Sequence, residues 1–244
     1  MLEVWAEQNQ EKKVGREETL ESFRKPKVKI CCIANVREAW LAIRHGASAL
    51  GLVSEMPSGP GVIPEKMIAQ IARSIPPGVA SFLLTSKQEP SVIIAQQKRC
   101  GTNIIQLCDR LNIEYYRVLR KSLPGIGLIQ SIHVAGREAV EEAVTIAPHV
   151  NALLLDSGNE RLKIKQLGGT GRIHDWTLSR EIRQKVKVPV FLAGGLDPAN
   201  VSAAIKEVQP YGVDVCSGVR TDGKLDPRKL SAFFKAVSTC TLPT

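Results

Sequence analysis

No apolar run in this 244-residue chain approaches the ~20 residues that a membrane span requires. The amino-terminal stretch is charged and has no hydrophobic core, so we expect neither a secretory signal nor an organelle transit peptide. Aromatic residues are scarce, at 5%. That argues against nucleic-acid binding, which would want a basic stripe interleaved with aromatics. The six cysteines (Cys31, Cys32, Cys100, Cys108, Cys216 and Cys240) include no C-x-x-C pair and form no framework of a small secreted domain. Reduced thiols in a cytoplasmic protein are the expectation. There is no low-complexity segment and no composition break that would mark a second folded domain.

The chain does carry a positive charge, formally +9. Residues 1–26 hold five Lys/Arg against six Asp/Glu, so the remainder alone stands at +10. Its basic residues are scattered over many segments, which fits an anionic small substrate or a solvated surface. Residues 1–26 are polar and nearly free of apolar periodicity apart from Trp5. They read as a flexible or loosely helical extension, and residues 27–244 as one catalytic domain.

From Lys27 onward, strand-like runs at 27–33, 48–53, 79–84, 103–107, 126–132, 151–155, 189–193 and 212–216 alternate with helix-like segments. The helical segments fall near 36–46, 64–74, 90–100, 112–121, 136–147, 177–186, 198–208 and 226–237, with apolar residues at three- and four-residue steps. Eight evenly spaced βα repeats predict an α/β fold, a single (β/α)8 TIM barrel with a polar N-terminal extension. Strand alternation places Lys29 and Cys31 inside the barrel, with Ile30 and Cys32 toward the helices. Asp214 shares the inner side with Cys216. The first and last strands of a closed barrel are neighbours, so Lys29 and Asp214 are expected to pair.

The stretch VFLAGGLDPAN, 190–200, reads as a buried strand, a Gly194-Gly195 turn and a helix start, with Asp197 as cap and Pro198 at the first helical position. A second strand end follows at Ser217-Gly218. Successive glycine turns after strands seven and eight present backbone N–H groups suited to phosphate. Cys31 after strand one and Asp156 after strand six stand at the same rim, a candidate base or nucleophile and a candidate acid.

These features come together in the motifs VKIC (28–31), GASALGLV (46–53), QL (106–107), LLLD (153–156), GGTG (168–171), DW (175–176), LAGGLDPANV (192–201) and YGVDVCSGV (211–219). Their order and spacing from Lys27 to about Ala236 resemble the phosphoribosylanthranilate isomerases of tryptophan biosynthesis. The resemblance implies an Amadori rearrangement with Cys31 as general base and Asp156 as general acid. It further implies substrate and phosphate contacts at Lys29, Gln106, Gly169, Gly171, Gly194, Gly195, Ser217 and Gly218. No metal or organic cofactor is implied; the partner is a small phosphorylated sugar-amine, with no nucleic acid and no membrane.

The chain departs from the family pattern at several points. Cys32 stands where a glycine is usual, and Pro60 or Gly61 where the strand-two loop carries a substrate-gripping arginine. Cys108 and Asp109 replace a histidine and a glycine, Cys216 a serine, and Arg220 a glutamate. Loss of the arginine removes about 1.5–3 kcal/mol per charged hydrogen bond. Arg220 or Arg172 is a candidate replacement from another loop. Beside the family's own reaction, two other functions fit these residues: isomerisation of a different phosphoribosyl amine, and phosphosugar binding without catalysis.

Overall fold

A computed structural model describes residues 25–158, 165, 167 and 174–240. The expectations for residues 1–24 and for Gly169, Gly171 and Arg172 fall outside the described residues. Eight parallel strands close on themselves in chain order: β1 Lys27–Ile30, β2 Ala49–Val53, β3 Ala80–Thr85, β4 Ile104–Leu107, β5 Gly127–His133, β6 Ala152–Asp156, β7 Val190–Leu192 and β8 Gly212–Val215. Helices follow each strand: α1 Val36–Arg44, α2 Glu65–Ser74, α3 Pro90–Cys100, α4 Ile113–Ser122, α5 Glu138–Ile146, α6 Trp176–Lys185, α7 Val201–Val208 and α8 Pro227–Ser238. The expected (β/α)8 barrel is the observed fold. Short features escaped the periodicity: 3-10 turns at Ala147–His149 and Ser217–Val219, and a two-residue hairpin, β9 Arg220–Thr221 with β10 Lys224–Leu225.

Strand alternation divides the apolar residues into two layers. Ile30, Leu50, Leu52, Leu83, Ile105, Leu153, Leu155 and Val213 face outward and pack against the helices. Ala49, Phe82, Leu84, Ile129, Leu154 and Phe191 fill the barrel interior. Phe82 and Phe191 meet edge to face, with ring centroids 5.9 Å apart, a favourable aromatic geometry.

Local chemistry sets the helix ends. Asn35 caps α1 by accepting the Glu38 N–H at 3.0 Å, while the Glu38 carboxylate accepts the Ala34 N–H. Asp175 and Asp226 cap α6 and α8 in the same way. The start expected for α7 at Pro198 is corrected by three residues. Asp197 does accept the N–H groups of Ala199 and Asn200, but residues 198–200 form a turn and the helix begins at Val201. Asn200 explains the delay: its side chain is spent on the Asp197 N–H and the Gly195 carbonyl, which folds the turn back on the strand-seven end.

Candidate active site

The inner residues of β1 and β8 form the floor of the mouth. Lys29 and Asp214 lie opposite one another in the ladder, and Lys29 Nζ donates to Asp214 Oδ2 at 2.7 Å. The ammonium also lies 5.2 Å from the Phe82 ring centroid. Burial works against the Lys29 charge, but Asp214, with help from Cys31, more than offsets it and raises the lysine above its ordinary range. Burial pushes the Asp214 carboxyl up while Lys29 opposes the shift. The 2.7 Å contact and the lysine's raised value fit an ionised pair, because an isolated charge here would be strongly penalised.

Above the pair opens one cup at the C-terminal ends of the strands. Cys31, Gln106, Cys108, Asp156, Gly194, Gly195, Asp214, Cys216 and Ser217 all line it, with the strand-two loop (Met56, Ser58, Gly59, Pro60) along one side. The candidate base and acid therefore face a shared hollow. Gly51 on β2 makes room for the thiol: a Cβ there would stand 2.7 Å from Cys31 Sγ and 3.1 Å from Lys29 Nζ. Asp156 is half-buried and accepts the Ser157 N–H at 2.7 Å.

Gly194 and Gly195 have φ of +84° and +63°, a region that L side chains rarely enter. Gly218 is required for space, since a Cβ there would run into the Leu196 carbonyl. The turns after β7 and β8 are thus packed together. Among the described residues, the N–H groups of Gly194, Gly195, Ser217 and Gly218 have no protein acceptor.

The sequence-derived residues are not all equivalent. Lys29 is fully buried and lies beneath the lining, reaching the cup through Asp214 and Cys31. Ser217 lines the cup, whereas Gly218 is not among the lining residues. Gln106 lines the cup and donates from Nε2 to Ser131 Oγ at 3.1 Å, while its buried Oε1 has no partner among the described residues.

Two expectations are corrected. Cys32 does not face the helices: β1 ends at Ile30, Cys32 has a φ of +62°, and that left-handed twist turns its thiol into the cup. Arg220 does not offer a grip on substrate. Its side chain is nearly buried, bonded to Glu38, to the carbonyls of Cys31, Cys32 and Gly223, and so backs the strand-one end from outside.

Two further residues at or near the cup had no role assigned from the sequence. Cys108 is a buried lining residue whose thiol is pushed up to about 12, chiefly by burial. His174 lies close enough to feel Asp156; burial lowers its imidazole, and Asp156 and Asp175 oppose the shift. Their signal, with hindsight, is position: each falls just past a strand end or just before a helix cap.

Fold and mouth together define a (β/α)8-barrel protein with thiol, carboxyl and open amide turns at the face where such barrels work. The sequence pattern of N-(5'-phosphoribosyl)anthranilate isomerase matches residues 28–236. The chain is 38% identical over 213 residues to the N-(5'-phosphoribosyl)anthranilate isomerase of Magnetococcus marinus, covering 86% of this chain and 94% of that one. It is 37% identical over 208 residues to the enzyme of that name from Desulforudis audaxviator, covering 85% and 96%. Among solved structures, phosphoribosyl anthranilate isomerase from Thermotoga maritima superposes with a TM-score of 0.75 at 30% identity, covering 87% of this chain and 98% of that one. A phosphoribosyl anthranilate isomerase in complex with reduced 1-(o-carboxyphenylamino)-1-deoxyribulose 5-phosphate gives 0.73 at 28% identity, with the same coverage. This chain belongs to the N-(5'-phosphoribosyl)anthranilate isomerase family.

Proposed function

We propose that the protein converts N-(5'-phosphoribosyl)anthranilate to 1-(2-carboxyphenylamino)-1-deoxyribulose 5-phosphate. The observation that carries this reading is the family match through residues 28–236, with Cys31 and Asp156 both lining one cup. Asp156 gives a proton to the ribose ring oxygen, and the ring opens to a Schiff-base cation. The Cys31 thiolate removes the C2' proton, and the resulting enolamine tautomerises to the ketose. Acid and base reach the sugar from separate strands, so neither quenches the other. The 5'-phosphate is received by the amides of Gly194, Gly195 and Ser217, in the manner of anion sites at barrel loops seven and eight. Gln106 contributes its unpartnered Oε1 to a substrate hydroxyl.

We place this activity in the cytoplasm, in keeping with six free thiols. Among the described residues, no helix is long and apolar enough to cross a membrane. A turnover assay with phosphoribosylanthranilate tests the reading. Cys31→Ser and Asp156→Asn should each lower kcat by at least the ~10²–10⁴-fold that general acid–base catalysis contributes, and unchanged turnover in either variant would overturn the assignment.

One observation favours a second reading. Among the described residues that line the cup there is no Lys or Arg, so none of these meets a carboxylate at the aglycone end with a cation. Were the natural amine uncharged, Pro60→Arg would bring no gain. If the substrate carries anthranilate, the same change should lower KM.

A further inference from the structure

Two thiols that the reaction does not use meet at the rim. Cys216 follows β8 and Cys32 follows β1, the last and first strands of the barrel, joined there by the Cys31 N–H to the Val215 carbonyl at 2.9 Å. Cys216 Sγ donates to Cys32 Sγ at a separation of 2.7 Å, closer than two non-bonded sulfurs pack. A disulfide bond is about 2.05 Å long, so bond formation asks for little movement.

The surroundings hold both groups in place. Gly61 presses on Cys32, where a Cβ at position 61 would stand 2.8 Å from its sulfur. The Cys32 carbonyl is held by Arg220. Cys216 is only half-buried and lines the cup, so a small molecule entering the mouth reaches it first.

We infer that Cys32 and Cys216 form a modification site, a dithiol that exchanges with a small-molecule disulfide of the glutathione type and closes the barrel covalently between its first and last strands.

Cys216 is the attacking group. Contact with Cys32 holds the Cys216 thiol below the usual range, with burial opposing and Arg220 assisting; through the same contact Cys32 is raised, so it keeps its proton and donates to the Cys216 thiolate once that forms. The Cys216 thiolate attacks one sulfur of the small disulfide, forming a mixed disulfide and expelling one thiolate. That thiolate takes the Cys32 proton. Cys32 sulfur then attacks Cys216 Sγ and expels the second small thiolate. The second thiolate takes from water the proton that Cys216 released on ionising. Relative to the dithiol the protein has lost two protons and two electrons, and the small disulfide is reduced to two thiols.

The full-length reduced chain, incubated with oxidised glutathione and quenched with iodoacetamide, tests this by peptide mass. The expected product is a peptide pair joined through Cys32 and Cys216, two hydrogens lighter than its reduced components. A higher Tm should accompany it, be abolished by dithiothreitol, and be absent in Cys216→Ser and in Cys32→Gly, a change that its φ favours. Glutathione left on either cysteine, a bond formed through Cys31, or six alkylated thiols would each overturn the assignment. The bond is read by mass, so the result is independent of the proposed reaction.

Discussion

Lys29 and Asp214 form a buried ion pair, 2.7 Å apart, beneath the thiol of Cys31. Removing one partner leaves the other charge without compensation, which costs about 3–5 kcal/mol for a buried pair. Lys29→Met should therefore destabilise the barrel by that amount in urea melts. The double variant Lys29→Met/Asp214→Asn should recover part of the loss, because the orphaned charge is gone. A double variant no more stable than Lys29→Met alone would show that the pair is not what holds this layer.

Gly51 separates stability from positioning. A methyl group there meets both Cys31 Sγ and Lys29 Nζ, and overpacking of this kind costs about 1–3 kcal/mol. The thiol is the group with room to give way, toward the cup. Since a misplacement of an ångström can cost ~10²-fold in rate, Gly51→Ala should fold with a modest loss and turn over roughly a hundredfold more slowly. Steady-state kinetics beside a melt separates the two effects.

Strand alternation made the pairing of Lys29 with Asp214 legible before any coordinates, because a closed barrel makes strand one the neighbour of strand eight. The same rule failed for Cys32. Alternation holds only while the backbone is extended, and β1 ends at Ile30, three residues before the strand-like run does, with a φ of +62° at Cys32. The unusual residue at that position was visible, but its direction was not. Arg220 was misread for a related reason: a guanidinium near a glycine turn looks like an anion grip, and its real partner, Glu38, is 182 residues away in sequence. Long-range side-chain pairings of that kind leave no periodicity to read.

Arg220 holds the strand-one end from outside the cup. Its guanidinium takes the carbonyls of Cys31 and Cys32 and pairs with a Glu38 carboxylate that also accepts the Leu225 N–H. Lysine keeps the charge but cannot reproduce the planar fork. Arg220→Lys should therefore lower kcat while leaving KM for the phosphorylated substrate nearly unchanged, since the turns after β7 and β8 are untouched. Arg220→Met should in addition destabilise the fold by about 3–5 kcal/mol, as Glu38 loses its buried partner. A rise in KM without a fall in kcat would place Arg220 at the substrate instead.

His174 links stability to pH near the candidate acid. Burial holds its imidazole below the ordinary value of 6.5, while Asp156 and Asp175 pull the other way. The folded chain therefore keeps a neutral ring where the unfolded chain would already accept a proton. Stability is full above about pH 6.5 and falls as the pH drops below it, until the folded ring protonates too. His174→Gln should flatten the fall in urea midpoint between about pH 7 and pH 5.5 relative to the unaltered chain, leaving the steeper carboxylate-driven loss at lower pH. Asp156→Asn removes one of the charges that favour imidazolium, so it should depress His174 further, which an NMR titration of the ring reads directly. An imidazole that titrates at or above 6.5, or a midpoint profile unaltered in His174→Gln, would show that the ring is not held neutral by its surroundings.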